Sequence, residues 1–302
     1  MSDSPKAGVV LSVIDIGSNT INLLVGKVRD NVVIPIASES VHVQLGAGVD
    51  ATGKMEPERM RAAVLVVALM DALARMHSAL PPVALATSAV RDAANGQDLL
   101  AAIRHCTPVE ARLLPGDREA TLGFRGATST AGVAPDAPVL VVDIGGGSAQ
   151  LSVGTSRSGP QQQVSLPLGS NRTTERSIAN DPPTQEELQQ VRTYAAGLLP
   201  RWDLPDDTAI VAIGGSARAL ARLGGPTFTA AELHALAAEI SERPSGAFAS
   251  LRGIAPTRTR VMPAAAMTLI AVLDVFGKQG LNVAQGGLRE GVLLTLADGD
   301  VV

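Results

Sequence analysis

Two six-residue runs contain the residue types that could do chemistry in this chain. Asp15-Ile16-Gly17-Ser18-Asn19-Thr20 recurs 128 residues later as Asp143-Ile144-Gly145-Gly146-Gly147-Ser148. An apolar run precedes each, Val9 to Ile14 and Val139 to Val142. A second follows in the same register, with Leu23, Val25 and Gly26 answering Leu151, Val153 and Gly154. Each therefore reads as a strand that ends in an aspartate and a tight turn of small residues. Glycines in such a turn let backbone N–H groups come close to a phosphate. A strand-end aspartate can ligate a hydrated divalent cation that bridges to phosphate oxygens. For a single copy a plain β-hairpin is the favoured reading, since Gly-Gly and Ser-Asn are common turn pairs. Two copies in register, each keeping its aspartate, favour phosphate.

A second pair keeps the same offset. Thr87-Ser88-Ala89 follows Ala84-Leu85-Ala86, and Gly215-Ser216-Ala217 follows Ala212-Ile213-Gly214, so Ser216 lies 128 residues after Ser88. A helix that starts behind a buried strand favours anions at its N-terminus, and Arg91 adds a guanidinium. An N-cap with a surface arginine reads equally well there. Gly214 and Gly215 permit a closer approach by a ligand in the second copy, where Arg218 follows. Leu114-Pro115-Gly116-Asp117-Arg118-Glu119-Ala120 opens another helix. A carboxylate in it could activate water, although acidic residues in a first turn usually complement the helix dipole. His42, His77, His105 and His234 show no metal-ligand spacing.

The elements that must position these residues alternate as strands and helices, which predicts an α/β protein of two similar lobes. Strands are expected at Val9–Ile14, Ile21–Val28, Val32–Ser38, Val83–Ala86 and Val109–Leu114. Helices are expected from Pro57 to Ser78, from Arg91 to His105 and from Asp117 through Arg125. The small, turn-rich stretch 128–138 is the best boundary. Beyond it come strands at 139–144 and 149–154, a loop at Ser156–Gln162, and strands at Val164–Leu168, Ala209–Ile213 and Val283–Gln285. Asp181-Pro182-Pro183-Thr184 caps a helix to Leu199, and helices follow from Ser216 to Leu223 and near 229–241, 261–277 and 288–297. Residues 1–7 read as a tail, and Gly46-Ala47-Gly48 as a flexible loop. The expected division is 1–128 for the first domain, with a C-terminal helix at about 288–302 packing back on it, and 129–287 for the second.

Length and composition agree. The chain has 302 residues, 46% of them hydrophobic and only 2% aromatic, so two cores of Ala, Val, Leu and Ile are expected. A net charge of −4 argues against a nucleic-acid protein, and an anionic ligand must then be held locally. The single cysteine, Cys106, suits a reducing cytosol and reads as a small buried side chain. No segment reads as a signal peptide. The apolar runs Ala62–Met70 and Ala264–Leu273 are too short to span a bilayer and read as buried helices.

Five motifs now stand in one order: Asp-Ile-Gly-Ser-Asn-Thr (15–20), Ala-Thr-Ser-Ala-Val-Arg-Asp-Ala (86–93), Pro-Gly-Asp-Arg-Glu-Ala (115–120), Asp-Ile-Gly-Gly-Gly-Ser (143–148) and Gly-Leu-Arg-Glu-Gly (287–291). Together they resemble the exopolyphosphatase / guanosine pentaphosphate phosphohydrolase (Ppx/GppA) family over roughly residues 9–297. The resemblance implies two actin-like domains, of the ribonuclease H-like, sugar kinase, Hsp70 and actin superfamily, flanking a cleft. It also implies hydrolysis of the terminal phosphate of inorganic polyphosphate or of guanosine pentaphosphate with a divalent cation, Mg²⁺ or Mn²⁺. Longer relatives append a helical C-terminal domain, so the chain resembles the short form. A cytoplasmic location without nucleic-acid or membrane partners is expected, and a homodimer is left open.

By position, the resemblance assigns Glu119 to orienting or deprotonating the attacking water. It assigns Asp143 to catalysis and metal binding, with Asp15 as a further metal ligand. Phosphate falls to Gly17, Ser18, Asn19, Thr20, Arg91, Gly145, Gly146, Gly147, Ser148, Gly214, Gly215 and Ser216. Four departures matter. Gln150 stands where the family has an acidic Glu, and Asp117 is a conceivable substitute. Asn22 stands where many members have arginine, and Arg118 where the first of a Glu-Glu pair is usual. Arg258-Thr259-Arg260 replaces Arg-Ala-Asp, and the added positive charge suits a long polyanion or a surface role. The leading expectation is an exopolyphosphatase. Its rivals are a pentaphosphate hydrolase, a polyphosphate-binding protein with weakened turnover, and a sugar kinase of the same fold.

Overall fold

A computed structural model of the protein describes residues 9–252 and 254–302, and the tail expected at 1–7 lies outside them. The chain forms two compact units. One runs up to Thr130 and is completed by Gly286–Val302; the other is Ala131–Gln285.

In the first unit, β1 (Leu11–Ile16), β2 (Thr20–Arg29), β3 (Val32–His42), β4 (Val83–Ala86) and β5 (Glu110–Leu113) form one sheet in the order β3-β2-β1-β4-β5. The first three are antiparallel hairpin partners, while β4 and β5 run parallel to β1. Alternation along β1 serves two cores, as a strand covered on both faces requires. Ile14 and Ile16 face a cluster with Ala63, Val67 and Met70 of α2 (Pro57–Met76) and Leu99 and Ile103 of α4 (Gly96–Cys106). Leu11 and Val13 face Leu122 of α5 (Gly116–Thr128) and Val292 and Leu293 of the last helix, α13 (Leu288–Ala297). The Gly-Leu-Arg-Glu-Gly motif belongs to this second packing. A Cβ on Gly291 would lie 1.8 Å from the Leu122 carbonyl oxygen, and one on Gly126 1.9 Å from that of Gly287. Glycine at both positions lets α13 lie directly on α5. Short helices α1 (Val49–Thr52) and α3 (Ser88–Asp92) complete the unit.

The second unit repeats the order. β6 (Val139–Ile144), β7 (Ala149–Thr155), β8 (Gly159–Leu166), β9 (Ala209–Ile213), β10 (Thr227–Thr229) and β11 (Gly280–Val283) form a sheet in the order β8-β7-β6-β9-β11-β10. The five strands β8, β7, β6, β9 and β11 reproduce the first sheet with the same strand directions, and β10 is an added antiparallel edge. Both units are therefore actin-like domains. The helices are α6 (Ser170–Ser177), α7 (Gln185–Leu198), α8 (Gly215–Gly224), α9 (Ala230–Ile240), α10 (Ser245–Arg252), α11 (Pro256–Thr259) and α12 (Met262–Val275). Every residue of α12 from Met262 to Leu273 is buried.

Several expectations are corrected. The single helix from Arg91 to His105 is two, because Asn95 spends its amide on both backbone groups of Met55, at 2.9 Å each. In addition, Gly96 sits where a Cβ would be 2.0 Å from the Val90 carbonyl oxygen. The loop at 156–162 is only a three-residue turn: Gly159, at φ 75, opens β8, and Thr155 already pairs with Gly159. The polar run Gln161-Gln162-Gln163 is an exposed edge strand, not a loop. The strand expected at 283–285 lies at Gly280–Val283. Cys106 is exposed, being the last residue of α4 and off its buried face. Burial at 62–70 holds for one face of α2 only, since Leu65 and Leu69 are exposed. Among the described residues no helix is long and apolar enough to cross a membrane.

Candidate active site

In the first unit the Asp-Ile-Gly turn lies at the carboxyl end of β1, next to the carboxyl end of parallel β4, with Ile16 opposite Ala86. In open α/β sheets this edge is where ligands bind. The turn is closed by the Gly17 N–H on the Thr20 carbonyl at 3.0 Å. Thr87 N–H bonds the Ile16 carbonyl at 3.1 Å, and the hydroxyls of Ser18 and Ser88 meet at 2.9 Å. Asp15 pairs with Asn22 across the hairpin. The Asn22 amide donates to Asp15 Oδ2 and to Thr20 Oγ1, both at 3.2 Å, and accepts from Ser40 Oγ at 2.6 Å.

The second unit builds the same device from positions 128 residues on. Gly145 N–H bonds the Ser148 carbonyl at 3.0 Å, and Asp143 pairs with Gln150. The Gln150 amide donates to Ser148 Oγ at 2.8 Å and to Ser165 Oγ at 2.9 Å. Ser165, on β8, takes the place that Ser40 takes on β3. Gly146 stands where the first copy has Ser18, so the hydroxyl partner of Ser216 must come from elsewhere. It comes from α6: Ser216 Oγ bonds Ser170 Oγ at 3.1 Å, and the Ser170 and Asn171 N–H groups bond the carbonyls of Gly145 and Gly146 at 2.9 Å. Gly169 makes this possible, since a Cβ there would lie 2.4 Å from backbone atoms of Gly146 and Gly147. Gly214, at φ 99, lies against Asp143, and a Cβ on it would be 2.8 Å from Asp143 Oδ1.

Both turns thus offer N–H groups. Those of Ser18, Asn19, Gly146 and Gly147 meet no protein acceptor among the described residues, and backbone donors in a turn of small residues suit a phosphate oxygen.

Glu119 lies in the first turn of α5 and is 7% exposed. Arg91, from the end of α3, reaches it: Nη1 is 3.1 Å from Glu119 Oε2 and donates to the Leu114 carbonyl at 3.0 Å. A buried carboxylate held by a guanidinium has a fixed direction. Asp117 is exposed and turns its Oδ1 back on the Arg118 N–H at 2.8 Å. Arg118 itself reaches the Val301 carbonyl at 3.0 Å.

Arg218 and Arg222, both on α8, lie close enough to Arg258 to act on it. The Arg258 guanidinium lies against Gly215, where a Cβ would be 2.9 Å from Nη1. Burial, then the charges of Arg218 and Arg222, push Arg258 below the usual arginine range. Arg260 has another use: its guanidinium donates to the carbonyls of Asn180 at 2.7 Å and Ile178 at 3.1 Å, fastening the loop that leads into α7.

Among the described residues no three of His, Cys, Asp and Glu gather as a metal cage. Asp15 and Asp143 are single hard oxygen donors at strand ends. Each, on its own unit, is the ligand type that suits a cation such as Mg²⁺, which keeps waters and takes phosphate oxygens alongside a carboxylate.

The sequence reading placed the two turns, Arg91, Glu119, Gly214, Gly215 and Ser216 as candidates, and Ser88 as a helix cap. The structure brings Ser18 to Ser88 and Arg91 to Glu119 in one unit, and Ser216, Gly214 and Asp143 to the second turn in the other. Ser40, Ser165, Gly169 and Ser170 were not legible. Gly169-Ser170 after the apolar end of β8 was the available signal, a third strand followed by small residues.

The family model for the Ppx/GppA phosphatase family matches residues 24–299. Exopolyphosphatase 1 of Mycobacterium tuberculosis is 31% identical over 96% of this chain and 89% of its own length. Among solved structures, the Aquifex aeolicus PPX-GPPA enzyme superposes with a TM-score of 0.79 at 26% identity, covering 95% of this chain and 99% of that one. An exopolyphosphatase from Cytophaga hutchinsonii superposes with a TM-score of 0.86 at 23% identity, covering 97% and 99%. The latter bears on the fold alone.

Proposed function

We propose that this chain, which belongs to the Ppx/GppA phosphatase family, is an exopolyphosphatase that removes the terminal phosphate of inorganic polyphosphate. The observation that carries the reading is the Arg91–Glu119 pair. It holds a buried carboxylate in a fixed direction on the same unit as a phosphate-type turn. Glu119 is the group that orients the attacking water and takes its proton. Gly17, Ser18, Asn19 and Thr20, and in the other unit Gly145, Gly146, Gly147 and Ser148, offer N–H and hydroxyl donors to phosphate oxygens. Asp143 and Asp15 are the carboxylates for a divalent cation, which when bound neutralises charge on the phosphoryl oxygens. Positioning and charge neutralisation supply most of the catalysis in phosphoryl transfer.

Polyphosphate is favoured over a nucleotide by two observations. Arg218 and Arg222 bring positive charge near Arg258, which suits a long chain of phosphates. Asn22 is tied to Asp15, Thr20 and Ser40 and adds no charge. Phosphate release from polyphosphate and from guanosine pentaphosphate, each with and without Mg²⁺, tests the reading. Glu119→Gln must lower release from the preferred substrate by at least about a hundredfold if it is the base, and full activity in that variant sinks the assignment.

One observation favours a second reading, a polyphosphate-binding member with weakened turnover. Both N–H groups of Gln150 are taken by Ser148 and Ser165, and a neutral amide cannot serve as an anionic ligand. Tight polyphosphate binding without phosphate release, with turnover recovered in Gln150→Glu, would support it.

A further inference from the structure

Asn22 stands at the centre of a row of polar side chains on one face of the first sheet. It pairs in register with Asp15 on β1 and with Ser40 on β3, and Thr20, two residues back on β2, lies on the same face. Its amide is fully committed. The N–H groups go to Asp15 Oδ2 and Thr20 Oγ1, both at 3.2 Å, and the oxygen accepts from Ser40 Oγ at 2.6 Å. The carboxylate settles which way round the amide stands, because an ionised aspartate only accepts. Stiffening of the sheet accounts for the two bonds that cross strands, to Asp15 and Ser40. It does not account for the bond to Thr20, which lies on the same strand as Asn22.

We propose that Asn22 is a positioning residue that sets the Thr20 hydroxyl as a hydrogen-bond donor to phosphate. A hydroxyl has one proton to give and two lone pairs. With the Asn22 N–H on one lone pair, the Thr20 proton turns away from the amide, and no acceptor among the described residues meets it. The backbone of Thr20 is fixed as well, since its carbonyl closes the turn by accepting the Gly17 N–H at 3.0 Å. The hydroxyl is therefore set to donate before a ligand arrives, and a donor fixed in advance needs no rearrangement when negative charge comes close. A carboxylate at position 22 would do the reverse, accepting the Thr20 proton and withdrawing it from the ligand.

The second unit repeats the wiring. Ser148 and Gln150 stand as far past Asp143 as Thr20 and Asn22 stand past Asp15, and Ser148 Oγ accepts from the Gln150 amide at 2.8 Å. A donating amide behind the hydroxyl that ends the turn is thus common to both copies. The other Gln150 N–H goes to Ser165, so neither is left for Asp143. Asn22 is the amide that ties the hydroxyl and the aspartate of its turn to one group. Its role rests on the reading of the first turn as a phosphate cradle, and the two are separable by experiment.

A ³¹P NMR titration of inorganic phosphate into the full chain, with Mg²⁺ present, tests this without turnover. Thr20→Val should weaken binding at least about tenfold, and Thr20→Ser should stay near wild type, because a serine hydroxyl can be set the same way. Asn22→Leu and Asn22→Ala should each weaken binding about fivefold with an unchanged circular dichroism spectrum. In the Thr20→Val background the same changes at Asn22 should cost less than about twofold, since no hydroxyl is left to direct. A purely structural Asn22 would instead give losses that multiply. Multiplied losses, or wild-type affinity in Thr20→Val or in both Asn22 variants, overturn the proposal. Phosphate release from polyphosphate, followed in parallel, separates the proposal from the function it rests on. The expected binding losses in a protein that releases nothing from polyphosphate leave the role of Asn22 standing and sink the exopolyphosphatase reading. A wild type that binds no phosphate overturns both.

Discussion

Truncating Arg91 should reveal how firmly the structure holds Glu119. Arg91 Nη1 lies 3.1 Å from Glu119 Oε2, where two unit charges at an effective dielectric of 20 attract by about 5 kcal/mol. Desolvation offsets much of this, since the Glu119 side chain is 9% exposed and that of Arg91 23%. A net coupling of about 2 kcal/mol is left. Arg91→Ala also strips a donor from the Leu114 carbonyl and takes the guanidinium from a buried carboxylate, so the single substitution should cost about 3 kcal/mol. Glu119→Gln should cost about 1 kcal/mol. The double variant should be less destabilised than the two added together, by the coupling. The assay is urea unfolding of the four proteins at pH 7, followed by circular dichroism. Trp202, the only tryptophan, lies in the second unit, so its fluorescence transition should stay put and serves as the control. In phosphate release the same cycle should be non-additive: Arg91→Ala, Glu119→Gln and the double variant should fall to similar rates, as residues acting together do. A coupling below about 0.5 kcal/mol, or multiplicative losses of activity, would refute the claim that Arg91 acts by holding Glu119.

The N–H of Thr184, with those of Asn180 and Ala179, holds the Glu187 carboxyl at about 2, against an ordinary 4.5. That is a ceiling of about 3 kcal/mol, and about 1–2 kcal/mol after solvent screening. Because the folded value is depressed, the contribution is complete above pH 4.5 and is lost as pH falls toward 2. The stability gap between wild type and Glu187→Gln, measured by denaturant titration, should therefore close over that window, and a gap that ignores pH would contradict the cause. Gly169→Ala should push α6 off the second turn, costing about 2–3 kcal/mol and at least tenfold in kcat/KM; wild-type kinetics would show that α6 does not support the turn. Gln150→Glu should lower the Mg²⁺ concentration that half-activates phosphate release on the order of tenfold, and an unchanged requirement would place position 150 outside the metal's reach. Chelation of divalent cations should abolish release and Mg²⁺ restore it, whereas activity that survives chelation would remove the cation from the reaction.

The repeat was legible because it is local. Strand, aspartate, glycine and small residues stand consecutively in both copies, and alternation along β1 and β6 declares strands covered on both faces. Helix starts such as Thr184, bonded to the Glu187 N–H, are local too. Residues supplied from a distance were not legible. Asn95 breaks an expected helix through Met55, 40 residues away, and the first half of β8 reads as a loop because its polar glutamines lie on an exposed edge. The apolar run of α2 was expected to be buried because composition counts hydrophobic residues without showing which face of the helix the sheet covers.

By itself, then, the order of residues determined the two-copy architecture, the five motifs and the family, since turn geometry, strand alternation and helix starts depend on neighbours along the chain. Only the tertiary structure decided which groups work together. It set Arg91 on Glu119 across 28 residues, brought Ser170 across 46 to meet Ser216 where the second copy lacks a serine, and gathered Arg258 with Arg218 and Arg222. It also gave Gln150 two serine partners, so the position paired with Asp143 became part of a network of neutral groups. These contacts follow from where the sheets carry their strand ends, and spacing along the sequence holds no record of them.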